Sequence, residues 1–191
     1  MPLEPPPADL AGFPSVRLRR DAELFRIHRA VRSPWWFSND GSGRFDLEGD
    51  RGTCYPARTP LGAFIEVFRR VNLIGEPMIS ARRLARLSPP QGGRLADCTD
   101  PVARRYGITA AIHSQPEYAR TRAWARAFAT AGFVGVRYLL SHDPAQDVVG
   151  IALFGPAGEQ DHPIADDGPI PAATIAEARL RFGLAVLPAR S

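Results

Sequence analysis

Residues 148–155 read VVGIALFG, eight residues without a charge. A run so nearly wholly apolar suits a strand at the centre of a sheet, with both of its faces covered. GVRYLL precedes it across the polar loop SHDPAQD and predicts an adjacent strand. The chain therefore has to build a sheet and supply helices or a second layer to bury it.

The remaining elements follow from local signals. Thr59 followed by Pro60 predicts a helix start, since the threonine oxygen caps free amides and proline at the first helical position gives up no hydrogen bond. That helix is expected from Pro60 to about Arg70. A longer one is expected from Glu117 to Ala131, with Trp124 and Phe128 four apart on its buried face and Gly132 ending it. Asp100 and Pro101 open a short helix, and residues 172–182 read as a peripheral one. ELFRIHR predicts a strand with Phe25 and Ile27 on one side and a polar face of Arg26 and His28 on the other. GTCYPA, ISARRLARLSP and RLADCTD add short strands. Strands outnumber helices without the regular alternation of a doubly wound sheet, so the expected class is a mixed α+β domain.

The chain has 191 residues, 45% apolar and 23% charged, which fits one globular domain. Residues 1–14 are proline-rich and expected to be a flexible lead-in, with order beginning near Ala22 and the domain spanning 15–191, C-terminal helix included. The lead-in has no basic or apolar signal-like region, and no stretch approaches the roughly eighteen apolar residues of a membrane span. A cytoplasmic protein without a membrane segment is expected. Cys54 and Cys98 form no CxxC and read as reduced core thiols. His28, His113, His142 and His162 show no metal-binding spacing, so no metal is assigned.

All 24 basic residues are arginine, and the net charge of +4 is spread along the chain rather than gathered in a basic arm. Arginine is the better fork for pyrophosphate or carboxylate, so individual arginines remain candidate ligands.

Arg44, Tyr55 and Glu66 fall at equal spacings of eleven. Each has an ordinary reading. Leu61, Phe64, Ile65 and Phe68 define the core face of the helix, and Glu66 lies on roughly the opposite side, where a solvated glutamate paired with Arg70 is usual. Gly62 and Ala63, one turn earlier, leave room beside it for a ligand or another backbone. Arg44 sits in GSGRF, a turn that lacks any complete phosphate-loop pattern. Tyr55 reads as a half-buried strand tyrosine, and Arg26 as a surface strand residue. Ser141 has no GxSxG around it. Trp35 and Trp36, with Phe37, suit a stacking platform, although a hydrophobic lip or core plug is more frequent for adjacent aromatics.

Together FRI, GRF and GTCYPARTPLGAFIEV, followed by GVRYLLSHDP and VVGIALFG, resemble the RES domain family, which includes toxins of Xre-RES toxin-antitoxin modules. The resemblance covers roughly residues 22–155. It implies a fold similar to ADP-ribosyltransferase toxins and breakage of the nicotinamide–ribose bond of NAD, as substrate rather than cofactor, by hydrolysis or by phosphorolysis with inorganic phosphate. It implies an Xre-type antitoxin covering the site. Residue by residue, it makes Glu66 the catalytic carboxylate, Arg44 and Arg26 ligands of phosphate or ribose, Tyr55 a contact on the nicotinamide side and Ser141 a further site residue. Phe45 and Asp46 depart from the family, which carries Trp and Asn there. Transfer of ADP-ribose to a macromolecule and a non-catalytic nucleic-acid-binding module are the alternatives.

Overall fold

The computed structural model describes residues 2–68, 73–141 and 143–189. In chain order its elements are β1 (Ser15–Leu18), β2 (Leu24–Arg29), β3 (Trp36–Phe37), β4 (Arg51–Cys54), α1 (Pro60–Phe68), β5 (Leu73–Gly75), α2 (Glu76–Ser80) and β6 (Arg82–Leu87). Then come β7 (Gly93–Asp97), a 3-10 turn (Pro101–Tyr106), α3 (Ala111–Ser114), α4 (Ala119–Thr130), β8 (Gly135–Leu139) and β9 (Val149–Pro156). The chain closes with β10 (Gly158–Glu159), β11 (Ile164–Pro169), α5 (Ala172–Phe182) and β12 (Ala185–Leu187).

Five strands form one sheet in the order β1-β7-β8-β9-β4, with β7 and β8 parallel and the other pairs antiparallel. VVGIALFG is interior to it, as its composition requires, and Gly150, Ile151, Ala152, Leu153 and Phe154 are all buried. A second, antiparallel sheet has the order β11-β6-β2. The two sheets are joined just after β4. There the Pro56 carbonyl accepts from Ile151 N–H at 3.0 Å, and Ala57 exchanges both backbone hydrogen bonds with Phe25 at 2.8 and 2.9 Å. Ala57 thus bridges Gly150 of β9 and Phe25 of β2 at once, just before the start of α1.

Thr59 caps α1 as expected, its hydroxyl accepting from Gly62 N–H at 3.0 Å. The expected end at Arg70 lies outside the described residues. In α4, Thr121, Trp124, Ala125 and Phe128 are buried at helical spacing and press Trp124 and Phe128 on Phe13. Gly132 ends this helix at a φ of 81°, donating to the Ala129 carbonyl, while Phe133 N–H reaches back to Phe128. The fold is the single mixed α+β domain expected, with one core between the large sheet and α1 and α4, and a second between the two sheets.

Two expectations need correction. Residues before Ala22 are part of the domain: Leu3, Leu10 and Phe13 are buried, Trp124 Nε1 donates to the Glu4 carbonyl at 2.8 Å, and Ser15–Leu18 is an edge strand. A proline-rich chain resists helix and sheet, yet it still buries apolar side chains against a preformed surface. The polar face of β2 is not solvated, for His28 is buried with Nε2 3.1 Å from Asp167 Oδ1. Trp35 and Phe37 are core residues with near-parallel rings, in keeping with the core-plug reading of these adjacent aromatics.

Candidate active site

Arg44, Glu66 and Ser141 line one narrow cleft, together with Ile65, His113, Tyr138 and Leu140. It is tight, with a volume of about 10 Å³ against the ~300–1,000 Å³ of most small-molecule sites, and as it stands has room for no more than about one water molecule. A wider groove of about 670 Å³ lies along the opposite face of the large sheet. It contains none of these residues, and its size alone does not make it the site of chemistry.

Each side chain arrives on a different element. Glu66 comes from α1, which has six of its nine residues buried, so the side opposite the Phe64 face is itself covered and Glu66 is half-buried rather than solvated. Its Oε2 accepts from the Tyr138 hydroxyl at 3.2 Å. Tyr138 is buried on β8, and its ring packs on Phe45 with centroids 5.0 Å apart. The strand alternation that buries Val136 also turns Tyr138 inward, and a buried hydroxyl needs a partner. The space at Gly62, read from the sequence as room for a ligand, is occupied by Ala57 and Val148, so that glycine serves the packing of α1 on the sheet junction.

Arg44 is buried and fixed from three sides. Its Nη1 donates to the Gln115 carbonyl at 2.9 Å, its guanidinium lies 4.8 Å from the centre of the Tyr118 ring, and its own carbonyl accepts from the Thr121 hydroxyl. The loop that carries it is built on Asp46, which is fully buried. The Asp46 carboxylate accepts from the Tyr55 hydroxyl at 2.7 Å, from Gly43 N–H at 2.8 Å and from the Ser38 hydroxyl at 3.1 Å. The Tyr55 oxygen in turn accepts from Phe45 N–H at 2.9 Å. A Cβ on Gly43 would collide with both Asp46 and Tyr55, so only glycine admits this turn. Burial raises the pKa of Asp46 against the pull of these donors, and burial followed by the Asp46 charge holds the Tyr55 phenol well above its ordinary value. Tyr55 therefore stands behind the cleft with its hydroxyl engaged, and orients the Arg44 loop.

Arg26 is not among the cleft residues. Its Nη1 donates to the carbonyls of Pro34 and Trp36 at 2.5 and 2.8 Å and lies 2.9 Å from Cys54 Sγ, tying β2 to the following segment. Ser141 is exposed at the mouth of the cleft, just beyond β8. Asp143 fixes the loop that follows, its carboxylate accepting from the N–H groups of Ala145, Asp147 and Val148.

Sequence reasoning missed Tyr138 and His113. His113 is buried on α3, and its Nδ1 accepts from Leu139 N–H at 3.3 Å. Burial, and then the neighbouring Arg44 charge, lower its pKa to about 4. At neutral pH the imidazole is uncharged, which leaves Arg44 as the cation beside Glu66 within the cleft lining. Among the described residues no group of three or more His, Cys, Asp or Glu is placed to hold a metal ion, and no helix is long and apolar enough to cross a membrane.

Comparison with known proteins agrees with this architecture. No curated protein matches the sequence. Among solved structures, a chain in the crystal structure of the M. tuberculosis MbcT-MbcA toxin-antitoxin complex superimposes with a TM-score of 0.63 at 18% identity, over 83% of this chain and 88% of that one. The RES domain family model matches residues 23–173, which contain every cleft residue described above. The chain belongs to the RES domain family.

Proposed function

We propose that this RES domain protein breaks the bond between nicotinamide and ribose in NAD and acts as the toxin of a toxin-antitoxin pair. The observation that carries the reading is the half-buried Glu66, held by the Tyr138 hydroxyl in a cleft shared with Arg44 and Ser141. Nicotinamide is bound to ribose through a cationic ring nitrogen. When the C1′–N bond breaks, its electron pair neutralises that nitrogen, and the ring leaves without needing a proton, unlike the leaving group of an ordinary glycosidase. What the site must supply is negative charge beside the ribosyl cation, and the Glu66 carboxylate supplies it. A neutral His113 adds no opposing charge.

Arg44 holds a phosphate of the pyrophosphate, and its stack on Tyr118 keeps the guanidinium aimed at the cleft. Water or inorganic phosphate then attacks C1′ through an oxygen. Hydrolysis releases a proton to solvent, whereas phosphorolysis leaves the phosphate on the sugar. The fold shared with the MbcT-MbcA complex supports a role as toxin, with an Xre-type antitoxin closing the cleft and presenting a carboxylate to Arg44.

The test is to incubate purified protein with NAD, with and without phosphate, and measure free nicotinamide. Release that depends on Glu66 supports the reading, and dependence on phosphate identifies the acceptor. Radiolabel from NAD recovered on macromolecules would replace it by ADP-ribosyl transfer. Expression in bacteria should lower NAD and arrest growth, and normal growth with abundant folded protein would remove the toxin role.

A further inference from the structure

The free edge of the large sheet has two chemically different faces. β1 pairs only with β7, so among the described residues its outer edge carries no strand. On one face, Val16 stands opposite Leu95, and Leu18 continues the row toward the buried Ile151. Val16 is 37% exposed, although it borders a groove of about 670 Å³ with an apolar floor. On the other face Arg17 stands opposite Arg94, beside a trough of about 1,030 Å³ whose charged lining is Arg17, Arg19, Arg20 and Arg94 against Asp21. Arg19 is paired with Asp21, while Arg17 has no ion-pair partner among the described residues.

An unpaired edge is ordinarily a hazard, and charges on it discourage indiscriminate pairing. Here the arginines around the trough outnumber Asp21, while Val16, Leu18, Leu95 and Ile151 give the other groove its apolar floor, with Arg17, Arg58, Arg137 and Arg181 set against Asp147 and Glu177 along its walls. We propose that β1 is a docking edge for an extended segment of a partner protein in which acidic and apolar residues alternate. The segment adds a strand beside β1. Its apolar side chains continue the row of Val16 and Leu18 over the groove, and its carboxylates meet Arg17 and the arginines around it. Side chains directly opposite in an antiparallel pair share a face, so a second copy of this chain would set basic residues of two β1 strands against each other. An acidic partner avoids that repulsion. Nucleic acid would satisfy the arginines but would leave both the backbone edge and the apolar row unused. None of this depends on the catalytic reading.

The probe is a fluorescein-labelled, acetylated peptide of alternating Glu and Val residues, followed by anisotropy. Wild-type protein is expected to bind it at least tenfold more tightly than the peptide with Lys in place of Glu. The double variant R17E/R94E, confirmed as folded by its melting curve, is expected to invert that preference. If the double variant does not fold, the exposed single change R17E is expected to weaken the Glu peptide tenfold. Methylating the amide nitrogens along one edge of the peptide should abolish binding. No measurable binding, equal binding of the methylated peptide, or indifference to R17E would overturn the proposal. A single-stranded oligonucleotide that binds more tightly and competes at the same arginines would assign the surface to nucleic acid instead.

Discussion

The Tyr138 hydroxyl donates to Oε2 of Glu66 across 3.2 Å and so joins the middle of β8 to the last turns of α1. The contact fixes the orientation of a carboxylate that α1 alone would leave free to rotate. It predicts that Tyr138→Phe folds, because the buried ring keeps its packing on Phe45, but lowers nicotinamide release about 10- to 100-fold, in line with ~1.5–3 kcal/mol for a hydrogen bond to a charged group. Steady-state rates on the purified variant check this, and a rate within twofold of wild type would deny Tyr138 any positioning role.

Arg44→Lys keeps the charge but loses the planar stack on Tyr118 and the fork. A fall of about tenfold or more in kcat/KM for NAD is expected, ~1.4 kcal/mol or more of transition-state stabilisation. Unchanged kinetic constants would return Arg44 to a purely structural part in its turn.

Tyr55→Phe removes the oxygen that bridges the Asp46 carboxylate and Phe45 N–H. A buried carboxylate losing a donor costs about 1–3 kcal/mol, and in a chain of this size each kcal/mol lowers Tm by roughly 2–4 °C. The melting temperature should fall accordingly. The KM for NAD should rise, because the Arg44 loop loses its brace.

How far the sequence could reveal the structure depends on the range of each interaction. The Thr59 cap, the Gly132 stop, the Trp124 and Phe128 face and α5 were readable because each signal lies within a few residues of the element it sets. The placing of Arg44, Glu66 and Ser141 in one cleft was not readable from spacing; the resemblance to RES domains implied those residues, and the fold brings them together. Tyr55, equally spaced between Arg44 and Glu66, turns instead to Asp46, and that contact depends on a turn only Gly43 allows. Tyr138 and His113 were missed because a buried tyrosine and a buried histidine look ordinary until their neighbours from other elements are known. Leu3, Leu10 and Phe13 were hidden by the prolines around them.

His113 gives a prediction about pH. Its pKa in the folded protein, about 4, lies below the value near 6.5 of an unfolded chain, so the unfolded state binds the proton first. The stability from a neutral His113 is present above pH 6.5 and is lost as pH falls toward 4. Between pH 7 and pH 5 that loss is about 2 kcal/mol. Denaturant titrations at the two pH values should show it in the wild type. His113→Asn, which keeps an acceptor for Leu139 N–H, should show a drop smaller by about that amount.

Glu66→Gln tests the central claim most directly. Glutamine keeps the size of the side chain and an oxygen to accept from Tyr138, and removes only the charge. The variant should fold with a melting temperature close to wild type, release nicotinamide from NAD at least about a hundredfold more slowly, as expected for loss of electrostatic stabilisation of the transition state, and leave bacterial growth and NAD intact. A folded Glu66→Gln protein that releases nicotinamide at the wild-type rate would contradict the account.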